Sequence, residues 1–347
     1  MKYQRGFLSI DAMYAIVLFS MLSFSAMGGY MFFISANQEL DRNNNLTTLK
    51  QGLTTMYLAN ANAIETGAAQ TLTFPNPSGG NFVIADGIAN ENTFDGLSAY
   101  MTGFSAGNVW HDGKHQGARV FISNVLNRQV NGITLQYRNV AIVMPGNYTT
   151  SWPTNAAEGV GCPTNRNLYV CSTFNAVTGQ LTTSPEDGGS IVFSTFDKQV
   201  ELLSKLDEQV SRVVKAYEDF FTIAYYNDVS KSYARDYFAN GGGNWGTNTV
   251  NQTVVNANAA VPATIGAECT AASARSLTNS GLQAALGLSN SDITSPWGSA
   301  ICVDNASNNV RNPNNANAAM QIAPFSARIV TALPGNQLYA KTVIGSY

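Results

Sequence analysis

The spacing of apolar residues along this chain divides it into stretches of different kinds. Residues 7–34 are apolar almost without interruption, broken by a few Ser and Gly and by one charge, Asp11. A helix rising 1.5 Å per residue over this length reaches across a bilayer. Beyond it, Leu40, Leu46, Leu49, Leu53, Met56, Tyr57 and Ile64 recur mostly at steps of three and four. That spacing predicts that the helix runs on with a single apolar stripe, its opposite face filled by Asn and Thr. The expectation is one long helix, apolar all round at its start and amphipathic at its end. Gly28 and Gly29 lie where the apolar part closes, where they either loosen the helix or let neighbouring helices approach.

From Thr71 the period shortens. The run TFPNPSGGNF carries turn residues, Phe82-Val83-Ile84 reads as a short strand, and residues 94–104 read as a short helix. Residues 118–126 and 133–144 read as two strands, with Asn131-Gly132 as a hairpin loop between them. A further strand is expected at 190–193. The helical period returns with Leu203, Leu206, Val210, Val213, Tyr217, Phe220 and Ala224, with Ser194 or Thr195 available as the cap. This second helix is expected to continue through Phe238 and stop at Gly241-Gly242-Gly243. Its aromatic stripe reads as a buried core face, because a coiled-coil seam needs more heptads than the pattern supplies. Residues 244–267, rich in Asn, Thr, Val and Ala, read as a long surface loop or an irregular edge, and 305–317 as a second Asn-rich loop. The segments 325–333 and 337–345, around Pro334-Gly335-Asn336, read as a terminal hairpin.

These elements make an α+β protein: a long N-terminal helix clasping an antiparallel sheet, followed by a second helix-plus-sheet module. The expected divisions are a leader at 1–6, the helix at 7–64, a sheet head at 65–193 and the second module at 194–347. The second module is expected to repeat the order of the first without a membrane helix.

Composition narrows the function. Of 347 residues, 45% are hydrophobic and only 12% charged, with a formal net charge of −3. The charged share is about half the usual one, and the balance argues against a nucleic-acid partner. Cys162, Cys171, Cys269 and Cys302 form an even set on a chain with an export-type start, which favours disulfides over buried thiols. Pairing Cys162 with Cys171 and Cys269 with Cys302 is the simplest of the three connectivities. Closing the longer of these loops is worth about 3–4 kcal/mol in the chain-entropy account. His111 and His115, with Asp112, have the spacing of a helical metal pair, but Gly113 and polar neighbours argue for a solvated loop. No catalytic residue, metal or cofactor is expected. Nucleophile elbow, zinc-protease, phosphate-loop and dinucleotide motifs are all missing from the sequence. The run GGGNWG at 241–246 follows a helix rather than a strand and reads as a helix stop.

The leader MKYQRG supplies Lys2 and Arg5 and ends in Gly6, in front of the apolar run rather than behind it as in an ordinary secretory signal. This arrangement resembles a type IV prepilin, whose dedicated peptidase cuts after Gly and methylates the new N-terminus. The resemblance makes Gly6 and Phe7 the cleavage site, Phe7 the methylated residue, and Asp11 the assembly carboxylate at the fifth mature position. The family more often carries Glu there. A carboxylate in a membrane-embedded helix is costly unless paired, and a neighbouring subunit's N-terminal amine is the partner implied. Family practice also places one disulfide in the C-terminal region, the position of Cys269 and Cys302. The size implies a large minor pilin of the type IVb kind, similar to the constant region of shufflon-type pilins, that initiates or caps the filament. Other pilin subunits, the prepilin peptidase, the inner membrane before assembly, and a host or recipient cell surface are the implied partners. The final location implied is the extracellular pilus. The Pro296-Trp297-Gly298 turn is similar to one in pseudopilins of type II secretion, which is the alternative. An anchored periplasmic binding protein or adhesin is the alternative of another class.

Overall fold

The computed structural model describes residues 4–90, 92–104, 118–144, 170–185, 187–238, 269, 274–277, 282–304, 309–313 and 315–347. His111, Asp112, His115, Cys162, the Gly241–Gly243 stop and the loop at 244–267 lie outside them, as does part of the loop at 305–317. Helix α1 runs Gln4–Glu65 and leaves helical geometry only at Asn60 (φ −134°, ψ 23°). Asn60 Nδ2 donates to the Met56 carbonyl at 2.9 Å, so its side chain sits against the turn that its own backbone distorts. The apolar stripe is buried from Leu46 through Leu49, Leu53, Met56 and Tyr57 to Ile64. Leu40, expected in that stripe, is exposed.

Strands β1 (Thr71–Pro75) and β2 (Asn81–Ala85) form a hairpin about the Asn76–Gly80 turn. The sequence showed only the second of them, because Pro75 and the turn residues masked the first. The expected helix at 94–104 is a 3-10 turn at Asp95–Ala99. The two long strands expected at 118–126 and 133–144 each divide. Strands β3 (Gly87–Ile88), β4 (Arg119–Ile122) and β7 (Asn139–Met144) belong to one antiparallel sheet. The Asn131-Gly132 turn joins different elements, β5 (Leu126–Val130) and β6 (Ile133–Tyr137), in a separate hairpin. The division falls at Arg138, whose backbone N–H donates to the Thr195 hydroxyl and whose carbonyl accepts from the Thr195 N–H. Strands β8 (Thr173–Asn175) and β9 (Gln180–Thr182) add a small hairpin, and β10 (Gly189–Ser194) completes the first sheet in the order β10-β7-β4-β3.

Helix α2 spans Phe196–Asn227 and buries Leu203, Leu206, Val210, Val213, Tyr217, Phe221 and Ala224. Phe221 takes the core place that strict alternating steps give to Phe220, as a straight helix of 3.6 residues per turn drifts from a seven-residue repeat. The helix ends eleven residues before the expected Phe238. Asp228 turns extended (φ −77°, ψ 119°), and its carboxylate accepts from Ser230 N–H at 3.0 Å and from Tyr237 OH at 2.6 Å. This side-chain-built turn brings Phe238 back onto Tyr217 and Phe221, with ring centroids 4.9 and 4.6 Å apart. Short strand β11 (Arg275–Ser276), helix α3 (Leu282–Ala285) and strands β12 (Ile301–Asp304), β13 (Ser326–Leu333) and β14 (Gln337–Ile344) follow. They make a second antiparallel sheet in the order β11-β12-β13-β14. The β13–β14 turn uses Gly335 (φ 80°) and Asn336 (φ 59°), conformations that Gly and Asn adopt at little cost.

The architecture is therefore mixed helix and antiparallel sheet, compatible with an α+β class. The largest buried cluster among the described residues joins Leu53 and Tyr57 of α1, Val120 and Ile142 of the first sheet, Leu206 and Phe221 of α2, and Ile329 and Val343 of the second sheet.

Candidate functional site: an uncovered apolar helix and its anchorage

Met13–Tyr30 has a mean hydropathy of 1.4, and none of it is buried within the chain. Phe19, Leu22, Phe24 and Phe32 are each more than two-thirds exposed. A helix that is apolar all round can satisfy its surface only where apolar material surrounds it, in a bilayer or among other helices. Length and composition suffice for crossing a membrane. Gly6, Phe7 and Asp11 fall on this helix, but their side chains lie outside the described residues.

The other end of α1 is fixed by a polar network inside the core. Glu65 is 1% exposed. Its Oε1 accepts from Tyr57 OH at 2.7 Å and from the Thr195 hydroxyl at 2.6 Å. Gln199 Nε2 donates to Tyr57 OH at 2.6 Å, and Trp297 Nε1 donates to Gln199 Oε1 at 2.9 Å. Arg138, fully buried, places Nε 3.8 Å from Glu65 Oε2 and donates through Nη2 to the Gly67 carbonyl at 2.8 Å. Burial pushes the Glu65 carboxyl above its ordinary range, against the hydrogen bonds and the Arg138 charge that favour the anion. The same burial raises Tyr57 and lowers Arg138.

The network ties the end of α1 to the break between β6 and β7, to the start of α2 and to the Pro296-Trp297-Gly298 turn. Thr195 occupies the cap position of α2 but makes no side-chain cap bond; its hydroxyl is engaged by Glu65 and Arg138 instead. Ser194 Oγ accepts from Phe196 N–H at 3.3 Å. Sequence reasoning read Tyr57 only as core and passed over Glu65, Arg138 and Gln199. The legible signal was Arg138, a lone charge inside the apolar run 133–144. Farther up α1, Arg42 Nη1 donates to the Gly188 carbonyl at 2.8 Å, and the Tyr57 and Phe193 rings meet edge to face at 6.0 Å. These contacts lay β10 along the helix.

Cys269 and Cys302 form a disulfide, with Cα atoms 6.0 Å apart, beside Ala274 and Val330. Cys171 is also disulfide-bonded; its expected partner, Cys162, is not among the described residues. Asp292 pairs with Arg212 at 3.2 Å, and the buried Asp304 lies 3.9 Å from Arg328. Among the described residues, no group of three or more His, Cys, Asp or Glu is placed to hold a metal ion. No family model, curated protein or solved structure matches this chain.

Proposed function

We propose that the protein is a structural subunit of a type IV pilus, a minor pilin that initiates or caps the filament. The observation that carries this reading is the division of α1. Its apolar stretch from Met13 to Tyr30 is wholly uncovered, while the same helix, from Leu46 onward, is built into the core. In this reading the uncovered stretch holds the subunit in the inner membrane before assembly. It then exchanges lipid for the helices of neighbouring subunits, a move that keeps apolar surface covered at every stage. The leader motif supplies the processing step: cleavage between Gly6 and Phe7, methylation of Phe7, and pairing of Asp11 with a neighbour's N-terminal amine. The head, closed by the Cys269–Cys302 disulfide, then stands on the filament in the extracellular space.

The deciding measurement is the intact N-terminal mass of the protein made with its own export machinery. A chain beginning at N-methylated Phe7 is the expected result. A chain still beginning at Met1 overturns the assembly roles given to Phe7 and Asp11 and leaves a membrane-anchored protein.

A further inference from the structure

We infer that residues 345–347 form a strap over an aromatic nest at the end of α2, and that the strap lifts more readily as the buried Asp236 beside it gives up its proton. Tyr347 sets its ring 5.2 Å from Phe221 and 5.4 Å from Tyr225, edge to face on both, and 5.2 Å from Tyr233. Gly345 lies so close over the Phe221 ring that a Cβ there would collide with it. Few bonds hold the strap down. Gly345 N–H donates to the Phe325 carbonyl at 2.9 Å. Ser346 adds two exposed contacts to α2: its Oγ donates to Glu218 Oε1 at 3.1 Å, and its carbonyl accepts from Thr222 Oγ1 at 3.5 Å. The turn that carries Asp236 is tied more firmly. There the Asp228 carboxylate accepts from Ser230 N–H at 3.0 Å and Tyr237 OH at 2.6 Å, and pairs with Arg235 at 2.8 Å. Of the two, the strap is the part that gives way.

Asp236 supplies the reason to move. It is 1% exposed, and the Phe238 N–H is its single donor among the described residues. The charged groups of the surrounding elements are engaged elsewhere. In the turn, Arg235 pairs with Asp228, and Lys231 sits 5.4 Å from the centre of the Tyr226 ring. On α2, Lys215 lies 3.7 Å from Glu218 and 2.9 Å from Asp219. The phenols of Tyr225, Tyr237 and Tyr347 are raised above their ordinary range and stay neutral, and Tyr347 feels the Asp236 charge. An anion buried here without a counter-charge costs far more than a neutral carboxyl, and burial accordingly pushes Asp236 up to about 8. Lifting the strap admits water and gives the carboxyl back its ordinary acidity. Closure is therefore most favoured below the ordinary Asp range and weakens as pH rises toward about 8. Above that, Asp236 is ionised whether the strap is closed or open, and the opening stops responding. This inference stands apart from the pilus reading and does not rest on it.

The test is residue-resolved hydrogen exchange on the full chain in detergent micelles, with each rate divided by that of an unstructured peptide at the same pH. Protection of the Gly345 amide should fall at least tenfold from pH 5 to pH 8, within the limit of about tenfold per pH unit that one proton sets. It should level off above about pH 8. At every pH it should stay below the protection of Ile329 and Val330 in β13, because the strap opens without the sheet. Asp236→Asn should hold Gly345 within about twofold over the same range, since no proton is then lost. Glu218→Gln, which alters the carboxylate that touches the strap directly, should leave the fall in place. A Gly345 amide as protected as Ile329, a fall that survives Asp236→Asn, or no fall at all overturns the inference. Should Asp236→Asn not fold, the unaltered chain decides: levelling near pH 8 supports the strap, and a fall that continues to pH 10 assigns the opening to another group and overturns it.

Discussion

The two long helices differ in what surrounds them. Helix α2 carries most of its apolar residues on one side, and that side packs on β6, β13 and β14, with Ile223 and Tyr226 left exposed. Its outer side holds charge pairs at helical spacing, Glu201 with Lys205 and Lys215 with Asp219. The second sheet and the β5–β6 hairpin together cover that side. The first half of α1 has apolar side chains on all sides, and one sheet could cover only a strip of them. Only when polar residues take over the far side, beyond Leu40, does α1 join the core. The difference teaches that the distribution of apolar residues around a helix, more than their number, decides whether a chain can bury the helix by itself.

The sharpest way to break this comparison is at the point where the helices meet. Glu65→Ala leaves Arg138 buried without its counter-charge and strips Tyr57 and Thr195 of their acceptor. The expected loss is about 3–5 kcal/mol of head stability, read from urea denaturation of the full chain in detergent. Adding Arg138→Met should recover a large part of it, because the stranded charge is then gone. If the double variant is no better than Glu65→Ala, the network does not hold the helices together as described. A smaller effect separates the helices themselves. Leu206→Ala in α2 should cost about 2–5 kcal/mol through cavity formation. Leu22→Ala in the uncovered half of α1 should stay within about 0.5 kcal/mol, as expected for a side chain without neighbours in the chain. A Leu22 cost near that of Leu206 would mean that the head covers α1 after all.

Much of this was legible in the sequence. The second half of the long N-terminal helix and the stripe of α2 follow from helical spacing, and the β13–β14 hairpin from two apolar runs flanking the Pro334-Gly335-Asn336 turn. What was hidden depended on polar groups at a distance. Nothing local in residues 133–144 says that Arg138 will split the strand; that follows from Thr195, far along the chain, taking both of its backbone groups. The end of α2 was misplaced for a related reason. Residues 228–238 keep a helix-compatible composition, and the stop is made by Asp228 collecting Ser230 and Tyr237 through its side chain. At the N-terminus, the leader motif and the apolar run were plain in sequence, whereas the anchorage of the helix around Glu65 was not, because its partners come from four separate segments.

The gentlest probe of the comparison compares how the two helix ends handle a buried carboxyl. Glu65, at the end of α1, has two hydroxyl donors and an Arg nearby. Asp236, in the turn after α2, is fully buried and, among the described residues, accepts only the Phe238 N–H, at 3.0 Å. Burial pushes it up to about 8, whereas Asp228, eight residues earlier, is held at about 2 by Tyr237, Ser230 and Arg235. The signs are opposite. The folded chain keeps the Asp236 proton more tightly than the unfolded chain does. Its contribution is therefore complete below the ordinary Asp range and declines as pH rises toward about 8. The Asp228 contribution is complete above the ordinary range and declines as pH falls toward about 2. Tyr347, which feels the Asp236 charge, and Tyr237, which hydrogen-bonds Asp228, are both raised and stay neutral throughout this window. The unfolding free energy from urea titrations should thus fall from pH 4 to pH 8, by no more than about 1.4 kcal/mol per pH unit for a single group. Asp236→Asn should remove most of that slope, leaving the part that the raised Glu65 contributes with the same sign. An unchanged slope in Asp236→Asn would show that the turn after α2 is more open to water than the α1 anchorage, reversing the contrast between the two helix ends.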